Sequence, residues 1–127
     1  MGAGVSSLFP DWPERSRSAA IAADLRRLRS AAQSTVSVPP LTPSGMLGTM
    51  YVLEGSRLGA KFLLKEVADA ADPLITQATS YLNHGTGKRL WQSFLSKLQS
   101  EESCDEVEAI AAARSAFAAF ERAADLV

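Results

Sequence analysis

The chain has one cysteine, Cys104, and one histidine, His84, among its 127 residues. A single thiol excludes an internal disulfide and predicts a reducing compartment, taken here as the cytoplasm. No cluster carries metal-ligand spacing, and no nucleophile motif or phosphate loop is present. No stretch approaches the roughly 20 apolar residues of a membrane helix, so no membrane partner is expected. The opening MGAGVSSLFPDW has neither the basic start nor the long apolar run of a secretory leader. Charge of one sign is missing too: 13 Lys and Arg stand against 14 Asp and Glu, which excludes a global pull toward nucleic acid. The local basic cluster DLRRLR (24–29) reads as a solvated helix face.

Strand signals are nearly absent, while helix punctuation is plentiful. Asp11 and Glu14 form a D-x-x-E start that predicts a first helix over about 12–30. Pro39, Pro40 and Pro43 break it. Thr42 followed by Pro43 is an N-cap with a first-turn proline and launches a second helix to about residue 71. Asp72-Pro73 repeats the device for a short third helix ending near Leu82. After the turn NHGTGK (83–88), apolar residues at 90, 91, 94, 95 and 98 predict a fourth. Ser103 and Glu106 form a capping box for a last helix, whose Val107, Ile110, Ala111, Phe117, Phe120 and Ala124 favour one face. The expectation is an all-α bundle of about five helices in one domain, 1–127.

Within the second helix, YVLEGSRLGAKFLLKEV (51–67) carries two interior glycines, Gly55 and Gly59, with Gly48 just before it. Each costs about 1 kcal/mol of helix propensity relative to alanine. At about 100° per residue the three share a sector of roughly 60°. Tyr51, Val52, Leu58 and Phe62 border it, and Glu54, Arg57, Lys61 and Lys65 form what reads as a wetted charged stripe. Bare backbone admits either another helix or a flat ligand at close range, and spacing alone leaves both open.

The wording LGTMYVLEGSRLGAKFL closely resembles the distal-helix motif of bacterial biliverdin-forming heme oxygenases, approximately LGxLYVLEGSxLGGxxL. PERSRSAAIAADLRRL, YLNHGTGKRLWQSFLSKLQ and AIAAARSAFAAFERAADL resemble further segments of that family, so the likeness covers nearly the whole chain. It implies a heme oxygenase-like helical bundle with heme between two helices. It also implies cleavage of heme to biliverdin, carbon monoxide and iron, using O2 and electrons from a reductase or ascorbate. Carried over by position, Gly55 and Gly59 become heme-facing backbone, with Ser56, Arg57 and Leu58 between them and Tyr51 beside them. Lys88 and Arg89 become candidates for the propionates. Ala60 departs from the second glycine of the LGG pair, a one-methyl change expected to narrow or stiffen the bend.

In that family the proximal histidine that ligates heme iron comes from a leading helix ahead of every matched segment. The resemblance therefore predicts an N-terminally truncated bundle without that metal ligand. His84 follows the glycine helix and reads as a polar surface residue of the turn. Met46 and Met50 are expected in the core, and Tyr51 and Tyr81 as packing groups with bonded hydroxyls. Cys104 has acids at 101, 102, 105, 106 and 108 opposing any activation of its thiol. A bundle lacking a leading helix would expose apolar surface and associate with itself. Two functions follow: heme cleavage, or a non-catalytic helical module that binds heme, another flat ligand or a protein.

Overall fold

The computed structural model describes residues 7–29 and 41–125. Its helices are α1 (Trp12–Arg15), α2 (Ser18–Arg27), α3 (Pro43–Ala68), α4 (Pro73–Gln77), α5 (Ser80–Asn83), α6 (Leu90–Ser100) and α7 (Glu106–Asp125). No strand occurs among the described residues. Pro39, Pro40, residue 30 and the first six residues lie outside them.

The two Asx/Thr-Pro starts behave as local chemistry dictates. Thr42 Oγ1 accepts from the Gly45 N–H at 3.0 Å, and Asp72 Oδ1 from the Leu74 N–H at 2.9 Å, each quenching an orphan donor of the first turn. The second helix stops at Ala68 rather than 71.

Elsewhere contacts distant in sequence override the local signals. The helix expected over 12–30 is broken at Ser16 and Arg17, where Ser16 is extended (φ −63°, ψ 133°). The break lets Arg15 and Arg17 reach different parts of α3. Asp11 stands at the N-cap of α1 as expected, but its side chain makes no cap bond and its carboxylate accepts instead from Arg15 Nε at 3.0 Å. The helix expected over 73–82 also restarts, at Ser80. The buried Asp24 carboxylate, reaching over from α2, accepts from the Ser80 and Tyr81 N–H groups, both at 2.8 Å. One member of the basic cluster 24–29 is thus an interior cap, while Arg26 and Arg27 remain exposed. In α7 the cap is Asp105, not Ser103: Asp105 Oδ1 accepts from Val107 N at 3.0 Å and Glu108 N at 3.2 Å.

The core gathers Phe9, Leu47, Met50 and Phe94, flanked by Met46, Leu53, Trp91, Leu98 and Cys104. Both methionines therefore pack as expected. The last helix does not turn its bulky face inward. Val107, Ile110, Phe117 and Phe120 are exposed, and the inward positions are Ala109, Ala112, Ala113 and Ala116. Alanines at i, i+3, i+4 and i+7 make a thin side that lets α7 lie close against α3.

Candidate functional site

The three helical glycines have different surroundings. A Cβ on Gly48 would stand 1.9 Å from the Ala109 carbonyl oxygen, so this glycine is where α3 and α7 touch backbone to backbone. A Cβ on Gly55 would meet the Trp91 ring at 3.6 Å, an ordinary contact. At Gly59 nothing lies within 4 Å. Close helix packing explains the first glycine and leaves the other two unexplained.

Around Gly55 and Gly59 the surface is apolar and open. Tyr51, Leu58 and Phe62 are 47%, 52% and 66% exposed. Trp91 from α6 supports one edge, its ring 5.6 Å from that of Tyr51. Ala60 points the other way and is buried, so its extra methyl lies inside the protein and not on this face. Beside it, sharing Tyr51, a groove of about 580 Å³ runs between α3, α6 and α7, with Leu47, Leu98, Ile110 and Phe117 in its lining. That volume lies within the roughly 300–1,000 Å³ typical of small-molecule sites.

Behind the face lies the largest departure from the sequence reading. Glu54 and Arg57 are not part of a wetted stripe; they are 1% and 8% exposed, and only Lys61 and Lys65 meet solvent. Glu54 sits between Arg57 Nε and Arg15 Nη1, the latter at 3.3 Å. Arg15 also donates to the Leu90 carbonyl at 2.9 Å and to Ser93 Oγ at 2.6 Å, while Arg57 donates to the Arg15 carbonyl at 2.8 Å. Arg17 donates to the Leu53 carbonyl at 2.6 Å and to Ser56 Oγ at 3.1 Å, with its guanidinium 4.7 Å from the Tyr81 ring centre. Ser56 in turn donates to the Leu53 carbonyl at 2.6 Å. Burial pushes Arg17 below the ordinary arginine value. This network, spanning α1, α2, α3 and α6, fixes how α3 presents its glycines.

A small basic cleft of about 40 Å³ adjoins the open face through Leu58 and Trp91, with Arg17, Arg57, Lys61, Lys88 and His84 in its lining. Lys88 is exposed and stands 3.8 Å from Glu14. His84 is not a free surface residue: its Nδ1 lies 3.0 Å from Arg57 Nη1. Burial, then the positive charges of Arg57, Arg17 and Lys88, hold its pKa below the ordinary 6.5. Among the described residues no group of acids, histidine and cysteine is placed to hold a metal ion, and no helix is long and apolar enough to cross a membrane.

Of the residues expected at the site, Tyr51, Gly55, Leu58 and Gly59 share one open surface. Ser56 is turned into the Arg17 network, and Lys88 stands across the basic cleft. Sequence reasoning missed Trp91, Arg17 and the Glu54 network. The usable signal was PERSRS, where two arginines at spacing two follow a helix start.

The heme oxygenase family model matches residues 9–125. Over 128 aligned residues the chain is 34% identical to heme oxygenase PigA of Pseudomonas aeruginosa, an alignment that covers 97% of this chain and 64% of that protein. The chain thus spans a little under two thirds of the relative's length. No solved structure matches.

Proposed function

The chain belongs to the heme oxygenase family, and from that premise we propose that the open face of α3 is its heme-binding wall and that oxidative cleavage of heme to biliverdin, carbon monoxide and iron is its reaction. The supporting observation is Gly59, a helical glycine that touches nothing and lies in an exposed apolar patch. Exposed glycine in a helix interior forfeits about 1 kcal/mol, and no packing partner compensates for that here. A flat macrocycle against bare backbone does.

In this reading Gly55 and Gly59 let the substrate lie against the backbone, and Tyr51, Leu58 and Phe62 cover its apolar faces and exclude water. Lys88 and Lys61 lie at the edge where carboxylate side chains of a porphyrin would emerge. Ser56 and Arg17, both bonded at the Leu53 carbonyl, hold the backbone in place. O2 and a reductase or ascorbate supply the oxidant and electrons. No described residue is assigned as iron ligand, because the lone histidine, His84, is held by Arg57.

Hemin added to the purified chain should give a shifted Soret band, and ascorbate in air should then yield biliverdin. Gly59→Leu, which places a side chain in the ligand's position, should weaken hemin binding by about tenfold or more, equivalent to ~1.4 kcal/mol. Unaltered affinity in that variant would remove α3 from the site. Binding without biliverdin would reassign the chain to a non-catalytic helical binding module.

The exposed Val107, Ile110, Phe117 and Phe120 of α7 form an apolar surface of the kind that marks an association site. We expect self-association that rises with concentration. Sedimentation velocity showing a monomer throughout would refute it.

A further inference from the structure

We propose that His84 is a proton-sensitive latch: its neutral ring accepts a hydrogen bond from buried Arg57 and holds the turn 84–89 against α3, and protonation releases that turn. The inference rests on geometry and stands apart from the proposed reaction.

A guanidinium has donors and no acceptor. The 3.0 Å contact between Arg57 Nη1 and His84 Nδ1 therefore requires a lone pair on Nδ1, which fixes the neutral tautomer with its proton on Nε2. The same Nη1 also donates to the His84 carbonyl at 3.3 Å, so one guanidinium nitrogen grips both the ring and the backbone. Arg57 cannot swing away to accommodate a change, because its other nitrogens are bound to Glu54 and to the Arg15 carbonyl. The turn has little slack either. Gly85 and Gly87 take φ values of 77° and 84°, and a Cβ on Gly85 would lie 2.7 Å from Leu90 Cδ1.

Protonating Nδ1 sets N–H against N–H and places a second cation beside Arg57. The charged groups facing the ring are Arg57 and Glu54 from α3, Arg17 from the start of α2, and Lys88 from the turn itself. Three are positive, and Glu54 is already shared by two arginines. Glu54 is the one member of the set that favours an imidazolium, and the three cations together with burial outweigh it, so the strain is relieved by moving the turn.

The sign of the pH dependence follows. The folded ring binds its proton less readily than the unfolded one, whose pKa is about 6.5, so the unfolded chain holds more protons as acidity rises. The latch's contribution is complete above the unfolded value. It is lost as pH falls from there through the lower folded value.

Because His84 is the only histidine, its imidazole 15N resonances are assigned without ambiguity. Above the midpoint they should report the Nε2–H tautomer, with a midpoint below the free-histidine value. The probes of the turn are the Thr86 and Lys88 amides, which donate to the Asn83 and Gly85 carbonyls. His84→Asn places an amide oxygen near the Nδ1 position and accepts from Arg57 at any pH. Relative to that variant, these amides should exchange roughly three- to tenfold faster in the wild type below the midpoint, and equally above it. An Nδ1–H tautomer at neutral pH would overturn the proposal. So would equal exchange in both proteins across the titration.

Discussion

Gly48→Ala and Gly59→Ala, the same substitution in the same helix, are expected to change stability in opposite directions. At Gly59 the new methyl enters open space, and the helix gains about 1 kcal/mol of propensity. At Gly48 it would sit 1.9 Å from the Ala109 carbonyl oxygen and 2.9 Å from Ala109 Cα. Both are main chain, so no side-chain rotation relieves the clash and α7 must move off α3. The contact between these two helices is the most extensive in the bundle. The loss should be at least about 3 kcal/mol, the upper end of overpacking. Urea unfolding of the two variants beside the parent checks it. A stable Gly48→Ala protein would mean that α7 is not seated on α3. If Gly59→Ala is more stable yet binds hemin less well, the forfeited propensity belongs to the ligand and not to folding.

This pair also marks how far the sequence could be read. Gly48, Gly55 and Gly59 lie in one sector, and periodicity cannot tell them apart. What separates them is whether Ala109 or nothing stands opposite, a fact held by a helix far along the chain. The same limit explains the other differences. Thr42-Pro43 and Asp72-Pro73 start helices as expected because an Asx or Thr cap is satisfied within three residues. The breaks at Ser16 and after Gln77 were illegible, since they are imposed by Arg15 reaching Glu54 and by Asp24 reaching Ser80. Glu54 and Arg57 at i, i+3 have the signature of a surface pair, and only partners elsewhere show that they are interior. The all-α class was legible. Of the four residues read as bordering the glycine sector, Tyr51, Leu58 and Phe62 are exposed while Val52 is buried, because spacing within one helix sets direction and only its neighbours set burial. Which side of α7 faces inward was not legible, because its contact is made by alanines, which carry little hydrophobic signal, and its larger residues face out.

The second large effect belongs to Glu54. Its carboxylate is 1% exposed and stands between two arginines that are themselves 3% and 8% exposed. Burying three charges is costly, and such a cluster does not stabilise a fold merely by existing. Removing one member is another matter. Glu54→Leu would strand Arg57 without any carboxylate and leave Arg15 with only the half-buried Asp11. Breaking a buried pair in this way costs about 3–5 kcal/mol, against a total stability of about 5–15 kcal/mol for a domain. Glu54→Gln keeps an acceptor for Arg57 and should lose less, about 1–3 kcal/mol. The order Leu worse than Gln is the test, read from urea midpoints with unchanged slopes. Equal losses would mean that Glu54 acts through its charge, which both variants remove, and not through the acceptor that glutamine keeps. The loss should also reach the surface of the molecule. Arg57 held by Glu54 is the group that grips His84, so both variants should blunt the pH response of the turn 84–89. If the turn keeps its full response with Glu54 removed, the arginine is positioned by the Arg15 carbonyl alone, and the buried carboxylate serves only to balance charge.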